Sequence, residues 1–84
     1  MVDEKEILDK VRRIVASRAE LDEAKIRPEA DFRNDLHISS IVIVSIVLAV
    51  ETEFNLEVSD EEIVNLVTVG DAVRFITSKL TSHG

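Results

Sequence analysis

The sequence predicts an all-α protein, a small bundle of four helices in the order long, long, short and medium. Two observations carry this prediction. Apolar residues recur at every third or fourth position in several segments, which is the period of an amphipathic helix. The 84 residues include only two glycines and one proline, too few for the many tight turns of a β-sandwich or barrel. A chain of this length has room for one core, so we expect a single domain over residues 1–84.

The first long helix is predicted from about Asp3 to Ser17. Its apolar stripe has the spacing i, i+4, i+7, i+8 and consists of Ile7, Val11, Ile14 and Val15. A polar loop of about eighteen residues follows, over residues 18–35, and it contains Pro28, the only proline. Because a structureless connection of that length is uncommon, we expect a short helical turn or a functional role within it. Its isolated apolar residues, Leu21, Ile26 and Phe32, should pin it to the core.

The second long helix, from Ile41 to Phe54, is predicted against its composition. Most of its apolar residues are β-branched, which favours strands. The segment nevertheless runs about fourteen residues without a turn signal and keeps helical spacing into its charged end. One stripe should face the core: Ile43, Ile46, Val47, Val50 and Phe54. The opposite stripe should face water: Ile41, Val44, Ser45 and Leu48. A rotated helix that buries the second stripe is the alternative.

Two helix starts are marked by caps. Ser59 is followed three residues later by Glu62, which is the capping-box pattern that opens the short third helix. Thr68 and Asp71 repeat this pattern more weakly. The fourth helix follows with an apolar stripe at Val69, Ala72, Val73, Ile76 and Leu80.

The charge distribution narrows the range of partners. The formal net charge is −7, from 17 acidic and 10 basic residues, so phosphate backbones and anionic lipids should repel the chain. Six acids and no Lys or Arg lie between Leu36 and Glu62. The run from Glu57 to Glu62 is either a solvated first turn or a partner-binding surface. The N-terminal segment is charged from its third residue, and the longest apolar run is about ten residues. We therefore expect a soluble, cytoplasmic protein that does not span a membrane.

Catalytic chemistry is poorly supported. The chain has no cysteine, and it lacks a glycine-rich phosphate loop or a cluster with metal-ligand spacing. Asp35, His37 and Ser40 are the residue types of a hydrolase triad, but all three are crowded at one helix start. Triads draw their members from separate elements so that the side chains converge. We expect no catalytic residue and no metal site, and the protein is not expected to be an enzyme.

The segment at the head of the second helix carries a resemblance to a known family. It reads Asp35-Leu36-His37-Ile38-Ser39-Ser40-Ile41, and the helix closes with Glu51, Glu53 and Phe54. This resembles the acyl carrier proteins, in which an Asp-Leu-Gly-x-Asp-Ser-Leu motif opens the second helix. The segments Glu57–Glu62 and Thr68–Ile76 also resemble the family's third and fourth helices, so the resemblance covers essentially the whole chain.

The resemblance implies a four-helix carrier with 4′-phosphopantetheine, derived from coenzyme A, attached at Ser40. The thiol of that arm would hold acyl groups as thioesters and pass them between enzymes. The implied partners are a phosphopantetheinyl transferase and acyl-loading and acyl-using enzymes, and we expect a monomer. Ser39 is a weaker candidate for attachment. Two alternatives stay open: an unmodified helical adaptor, and a carrier that loads an amino acid.

Departures from the family motif bear on partner choice. Ser39 replaces the family's Asp, His37 replaces its Gly, and Val42 and Ser45 replace acids on the second helix. We therefore expect Ile41, Val42, Val44 and Leu48 to form an exposed apolar patch beyond Ser40 that selects a partner with a matching apolar groove. The candidate partner-binding residues are Asp35, Ser39, Ile41, Val42, Val44, Leu48 and Glu51.

Overall fold

A computed structural model of the protein describes residues 3–81. Four α-helices follow one another: α1 (Glu4–Ala19), α2 (Ser40–Phe54), α3 (Asp60–Val64) and α4 (Val69–Thr81). A single 3₁₀ turn, Glu23–Lys25, lies within the long loop between α1 and α2. The predicted all-α class and the order of helix lengths are confirmed, as is the short helical turn in the loop.

Helix α1 is the element against which the other two long helices pack. It begins after Asp3, whose carboxylate accepts a hydrogen bond from the Lys5 amide at 3.0 Å. Its predicted stripe is largely buried, with Ile7, Val11 and Val15 at most 4% exposed. Both α2 and α4 contact α1, so the core lies along this stripe.

Helix α2 has the predicted orientation. Ile46, Val47 and Val50 are 6–7% exposed, whereas Ile41, Val44 and Leu48 are 83%, 50% and 58% exposed. The rotated alternative is therefore wrong. Burial of one face decides the structure over the strand preference of the individual residues, because a strand would expose half of these apolar side chains.

Val42 is the exception on this helix. We expected it in the exposed apolar patch, but its side chain is partly buried and packs against the core. The reason is helical spacing: Val42 precedes Ile46 by four residues and therefore lies on the same side of the helix. The exposed patch is narrower than the sequence predicted.

The long loop is attached to the start of α4. The Phe32 amide donates to the Val67 carbonyl at 3.0 Å, and the Val69 amide donates to the Ala30 carbonyl at 3.0 Å. Further along, the Gly70 amide donates to the Pro28 carbonyl at 2.7 Å. A Cβ at position 70 would lie 3.0 Å from that carbonyl oxygen, a tight contact, so this close approach favours glycine.

Apolar side chains of the loop complete its attachment. Ile26, Phe32 and Ile38 are at most 6% exposed, while Leu21 is partly buried against the core. The loop thus leads to a fixed starting point for α2.

Reciprocal caps open α3 and α4, as predicted. The Ser59 amide donates to the Glu62 carboxylate at 2.9 Å, and the Glu62 amide donates to Ser59 Oγ at 3.2 Å. Thr68 and Asp71 make the same exchange, at 3.0 Å in each direction. The Thr68 amide lowers the pKa of Asp71 below its usual value, and Arg74 lowers it further. Within residues 3–81, none of the helices is both long and apolar enough to cross a membrane.

We expect opposite outcomes from glutamate on the two faces of α2. Val47→Glu should lower the free energy of unfolding by more than about 3 kcal/mol, because it buries an unpaired charge. Val44→Glu should change it by less than about 0.5 kcal/mol, because position 44 is half exposed. Urea unfolding followed by circular dichroism measures both. Equal losses in the two variants would contradict the orientation of α2.

The cap at α4 should make stability depend on pH. The folded pKa of Asp71 lies below the unfolded value of about 3.9, so its contribution is complete above about pH 4 and is lost as the pH falls through the folded pKa. Asp71→Asn should cost about 0.5–1 kcal/mol at pH 7. The gap to wild type should close at acidic pH in urea unfolding experiments. Glu57→Gln, at an exposed carboxylate outside the cap, is the control, and an equal cost there would contradict the assignment.

Candidate functional site

Two serines at the start of α2 have different environments. Ser39 is the N-cap, with extended backbone, and its Oγ accepts a hydrogen bond from the Val42 amide at 3.4 Å. Ser40 is the first helical residue and its side chain is exposed. The Ser39 hydroxyl therefore caps the helix, as expected from its position, while the Ser40 hydroxyl takes no part in capping.

Arg33 reaches Ser40 from the preceding loop. Its guanidinium Nη2 donates a hydrogen bond to Ser40 Oγ at 2.5 Å. Sequence reasoning missed this residue, because a lone arginine in a polar loop carries no signal of what it contacts. The contact exists only because residues 31–35 form a tight turn beside the helix start.

Asp31 and Asp35 build that turn. Asp31 Oδ1 accepts from the amides of Arg33 and Asn34, each at 2.8 Å, and Asp35 Oδ2 accepts from the Asp31 amide at 2.8 Å. The Asn34 amide, with a smaller contribution from Arg33, holds the pKa of Asp31 below its usual value. The local run Asp31-x-x-Asn34-Asp35 is a pattern that could have predicted a turn here. It could not have predicted where Arg33 points.

The three triad residue types do not form a triad. Asp35 bonds the Asp31 amide and Ser40 Oγ bonds Arg33, so the carboxylate and the hydroxyl have partners other than His37. Asp35, a candidate for partner binding, has a structural role in the turn. Within residues 3–81 there is also no group of three or more His, Cys, Asp or Glu placed to hold a metal ion.

His37 occupies a backbone position that favours glycine. Its φ is +53°, in the left-handed region, and its side chain is exposed. Histidine is among the residues that tolerate this region better than most. The neighbours Leu36 and Ile38 are buried, so the unusual backbone lets the chain bury both residues just before α2 begins.

The exposed apolar face of α2 consists of Ile41, Val44 and Leu48. It borders a shallow groove between α1 and α2 that Ile14 and Arg18 also line. No acid lies in the first turn of α2. The nearest acid along the groove is Glu53, at its far end, which pairs with Lys10 at 3.6 Å.

Several of the acids that follow have partners within the fold. Glu51 is half-buried, and its carboxylate accepts a hydrogen bond from the Val58 amide at 3.0 Å. Glu62 caps α3 and also pairs with Lys79 at 3.1 Å. Glu57, Asp60 and Glu61 are exposed. The acidic run is thus partly a set of caps and partly solvated surface.

The sequence-predicted site residues fall into two groups. Ser39, Ser40 and Ile41 lie together at the start of α2, with Val44 and Leu48 along the same exposed side. Glu51 is eleven residues from Ser40, which is about 16 Å along the helix. Its carboxylate ties α2 to the α2–α3 loop, so it stands apart from the serine.

The interior contains a small apolar cavity of about 30 Å³, far below the roughly 300–1,000 Å³ of a preformed ligand pocket. Its lining is entirely apolar and comes from α1, α2, α4 and the loops: Val11, Phe32, Ile43, Ile46, Val47, Val50, Val58, Leu66, Ala72, Phe75 and Ile76.

Comparison with known proteins agrees with this geometry. Residues 9–76 match the family model described as a phosphopantetheine attachment site. The chain is 41% identical over 81 residues to the acyl carrier protein of Thermosynechococcus vestitus, a match that covers 96% of this chain and 100% of that protein.

The fold is also similar to a solved structure, the acyl carrier protein of Enterococcus faecalis. The TM-score is 0.77 at 32% sequence identity, over 93% of this chain and 99% of that one. Since the family model and the relative each match most of the chain, this protein belongs to the acyl carrier protein family.

Proposed function

We propose that Ser40 is the residue that carries 4′-phosphopantetheine, the cofactor on which acyl carrier proteins hold acyl groups. One observation carries this assignment: both serines are exposed at the start of α2, but the Ser39 hydroxyl caps that helix, whereas the Ser40 hydroxyl bonds no backbone group of it. A transferase can reach Oγ of Ser40 without disturbing the fold. Modification of Ser39 would remove a capping acceptor.

The residues around Ser40 suit an anionic group. Attachment through phosphate places a negative charge on the first turn of α2, where the helix dipole favours anions and where acids are absent. Arg33 brings a positive charge to the same oxygen. When bound, the arm supplies the thiol that this cysteine-free chain lacks.

The cargo that fits this chain is an acyl group. Membership of the family makes the protein a carrier that depends on partner enzymes, not an enzyme, and neither the adaptor nor the aminoacyl alternative is favoured. The apolar lining of the cavity agrees with a hydrocarbon chain, because it offers no polar side chain to a charged amino group. The cavity is small, so a long chain would enter only if the helices moved apart.

The partner enzymes proposed here dock through an apolar surface. Ile41, Val44 and Leu48 expose an apolar face directly beyond Ser40, in a family whose partners usually read acids there. A partner with a matching apolar groove would bury this face, whereas basic residues placed to meet carboxylates would be left unpaired. The transferase and the acyl-loading and acyl-using enzymes are the partners concerned. A monomer working in the cytoplasm is part of the same proposal.

Attachment at Ser40 is tested by the mass of the intact protein. After incubation with coenzyme A and a broad-specificity phosphopantetheinyl transferase, we expect one added phosphopantetheine on the wild type and none on Ser40→Ala. The variant should keep its helical circular dichroism, because an exposed first-turn serine contributes little to stability. Ser39→Ala, the matched control, should still be modified. Retained modification in Ser40→Ala would transfer the assignment to Ser39.

Partner selection is tested by restoring one acid. Ser45→Glu should raise kcat/KM for a transferase with a basic docking surface by roughly threefold or more at low salt, because a complementary charge speeds association. About 0.5 M NaCl should remove the gain by screening. Ser78→Glu makes the same charge change on the exposed surface of α4 and should have no effect. Equal rates for wild type and Ser45→Glu would count against selection by the α2 surface.

A further inference from the structure

We propose that Arg33 is a positioning residue that forms an ion pair with the phosphodiester on Ser40 and so holds the root of the phosphopantetheine arm. The inference rests on the proposed attachment at Ser40 and goes beyond it, because it assigns a role to a residue outside the serine motif.

In the unmodified protein, the Arg33 guanidinium already donates a hydrogen bond to the oxygen atom that would carry the phosphate. Arg33 Nη2 donates to Ser40 Oγ, the atom that becomes the ester oxygen. When the phosphodiester forms, Oγ gives up its proton and bonds to phosphorus, and the negative charge lies on the two non-bridging oxygens, two bonds away from Oγ. The guanidinium has several N–H donors in a planar fork, which suits paired phosphate oxygens. A small side-chain movement would shift the hydrogen bond from Oγ to those oxygens.

Arg33 is available for a new anion. Within the described chain, the ion pairs between side chains involve other cations, such as Lys10 with Glu53 and Arg27 with Glu29. The acid closest to Arg33 in the turn is Asp31, and both of its carboxylate oxygens already accept hydrogen bonds from the turn itself. The Asp31 carboxylate attracts the guanidinium at longer range, but the hydrogen bond that the guanidinium makes goes to the neutral hydroxyl of Ser40.

The turn also restrains the backbone from which the Arg33 side chain extends. The Arg33 amide donates to Asp31 Oδ1, while Asp35 closes the same turn through the Asp31 amide. The backbone of Arg33 is thus restrained on both sides, so little backbone entropy is lost when the ion pair forms. Ser39 is neutral, so no acid lies directly before Ser40, and the carboxylates of Asp31 and Asp35 already accept hydrogen bonds within the turn.

The experiment compares unmodified and phosphopantetheine-bearing forms of the wild type, Arg33→Gln and Arg27→Gln. Arg27→Gln is the control, since it removes an arginine from the same loop that pairs with Glu29 at 3.3 Å. Intact mass first establishes that each sample carries the arm. Phosphorus-31 NMR then reports the surroundings of the phosphodiester, and thermal unfolding reports the change in Tm on attachment.

We expect the ³¹P resonance of Arg33→Gln to differ from that of the wild type and of Arg27→Gln. Attachment should raise the Tm of Arg33→Gln less, or lower it more, than it does the Tm of the wild type. The two changes should differ by about 2–5 °C, the effect expected of one exposed ion pair in a domain of this length. Arg33→Lys should recover part of this difference. About 1 M NaCl should shift the wild-type ³¹P resonance toward that of Arg33→Gln.

Two results would overturn the inference. Identical ³¹P shifts and Tm changes in modified wild type and Arg33→Gln would show that Arg33 does not contact the phosphate, and attachment at Ser40 would still stand. Absence of a mass gain on the wild type would overturn the attachment and this inference together. If Arg33→Gln is a poor transferase substrate, modified Arg33→Lys takes its place, because its ³¹P resonance should also differ from that of the wild type and of Arg27→Gln. Identical resonances in all three would contradict the inference.

Discussion

The hydrogen bonds that join the long loop to the start of α4 determine the position of the residues around Ser40. They link Phe32 to Val67 and Pro28 to Gly70, whose missing side chain allows the two backbones to approach. With the loop held there, Phe32 enters the core from within the 31–35 turn, and Ile38 enters it just after the turn. The turn and the first residues of α2 are consequently set by the packing of α1 and α4.

Helix α2 combines two requirements that are usually met by different residue types. Its inner face must fill the core, and its outer face must remain available to partners, yet both faces are aliphatic. The two faces differ only in their position around the helix axis: Ile46, Val47 and Val50 are buried, and Val44 and Leu48 are exposed. Exposed aliphatic residues gain nothing from water, and their grouping beside Ser40 is the observation behind the proposed apolar partner surface.

Much of this fold could be predicted from sequence because its signals are local. Helical periodicity and the caps at Ser59 and Thr68 depend on residues within four positions of one another, and the structure reproduces them. The prediction that Val42 is exposed was wrong because it rested on the correspondence of Val42 to an acid of the family's second helix and not on its distance of four from Ile46. Arg33 was missed for another reason. Its contact with Ser40 depends on a turn whose place is set by hydrogen bonds to the α3–α4 junction, far away in sequence.

The distribution of charge connects these features to partner choice. Several acids of this acidic chain are used within the fold: Glu51 and Glu62 bond backbone amides, and Asp71 caps α4. Around Ser40 the pattern is different, since Arg33 is the charged group at the hydroxyl and the first turn of α2 is neutral. Electrostatic steering would therefore act weakly at the serine itself, and short-range apolar contact would decide which enzymes bind. The positive charge that a basic partner would normally bring to the phosphodiester is, in our proposal, already supplied by this chain.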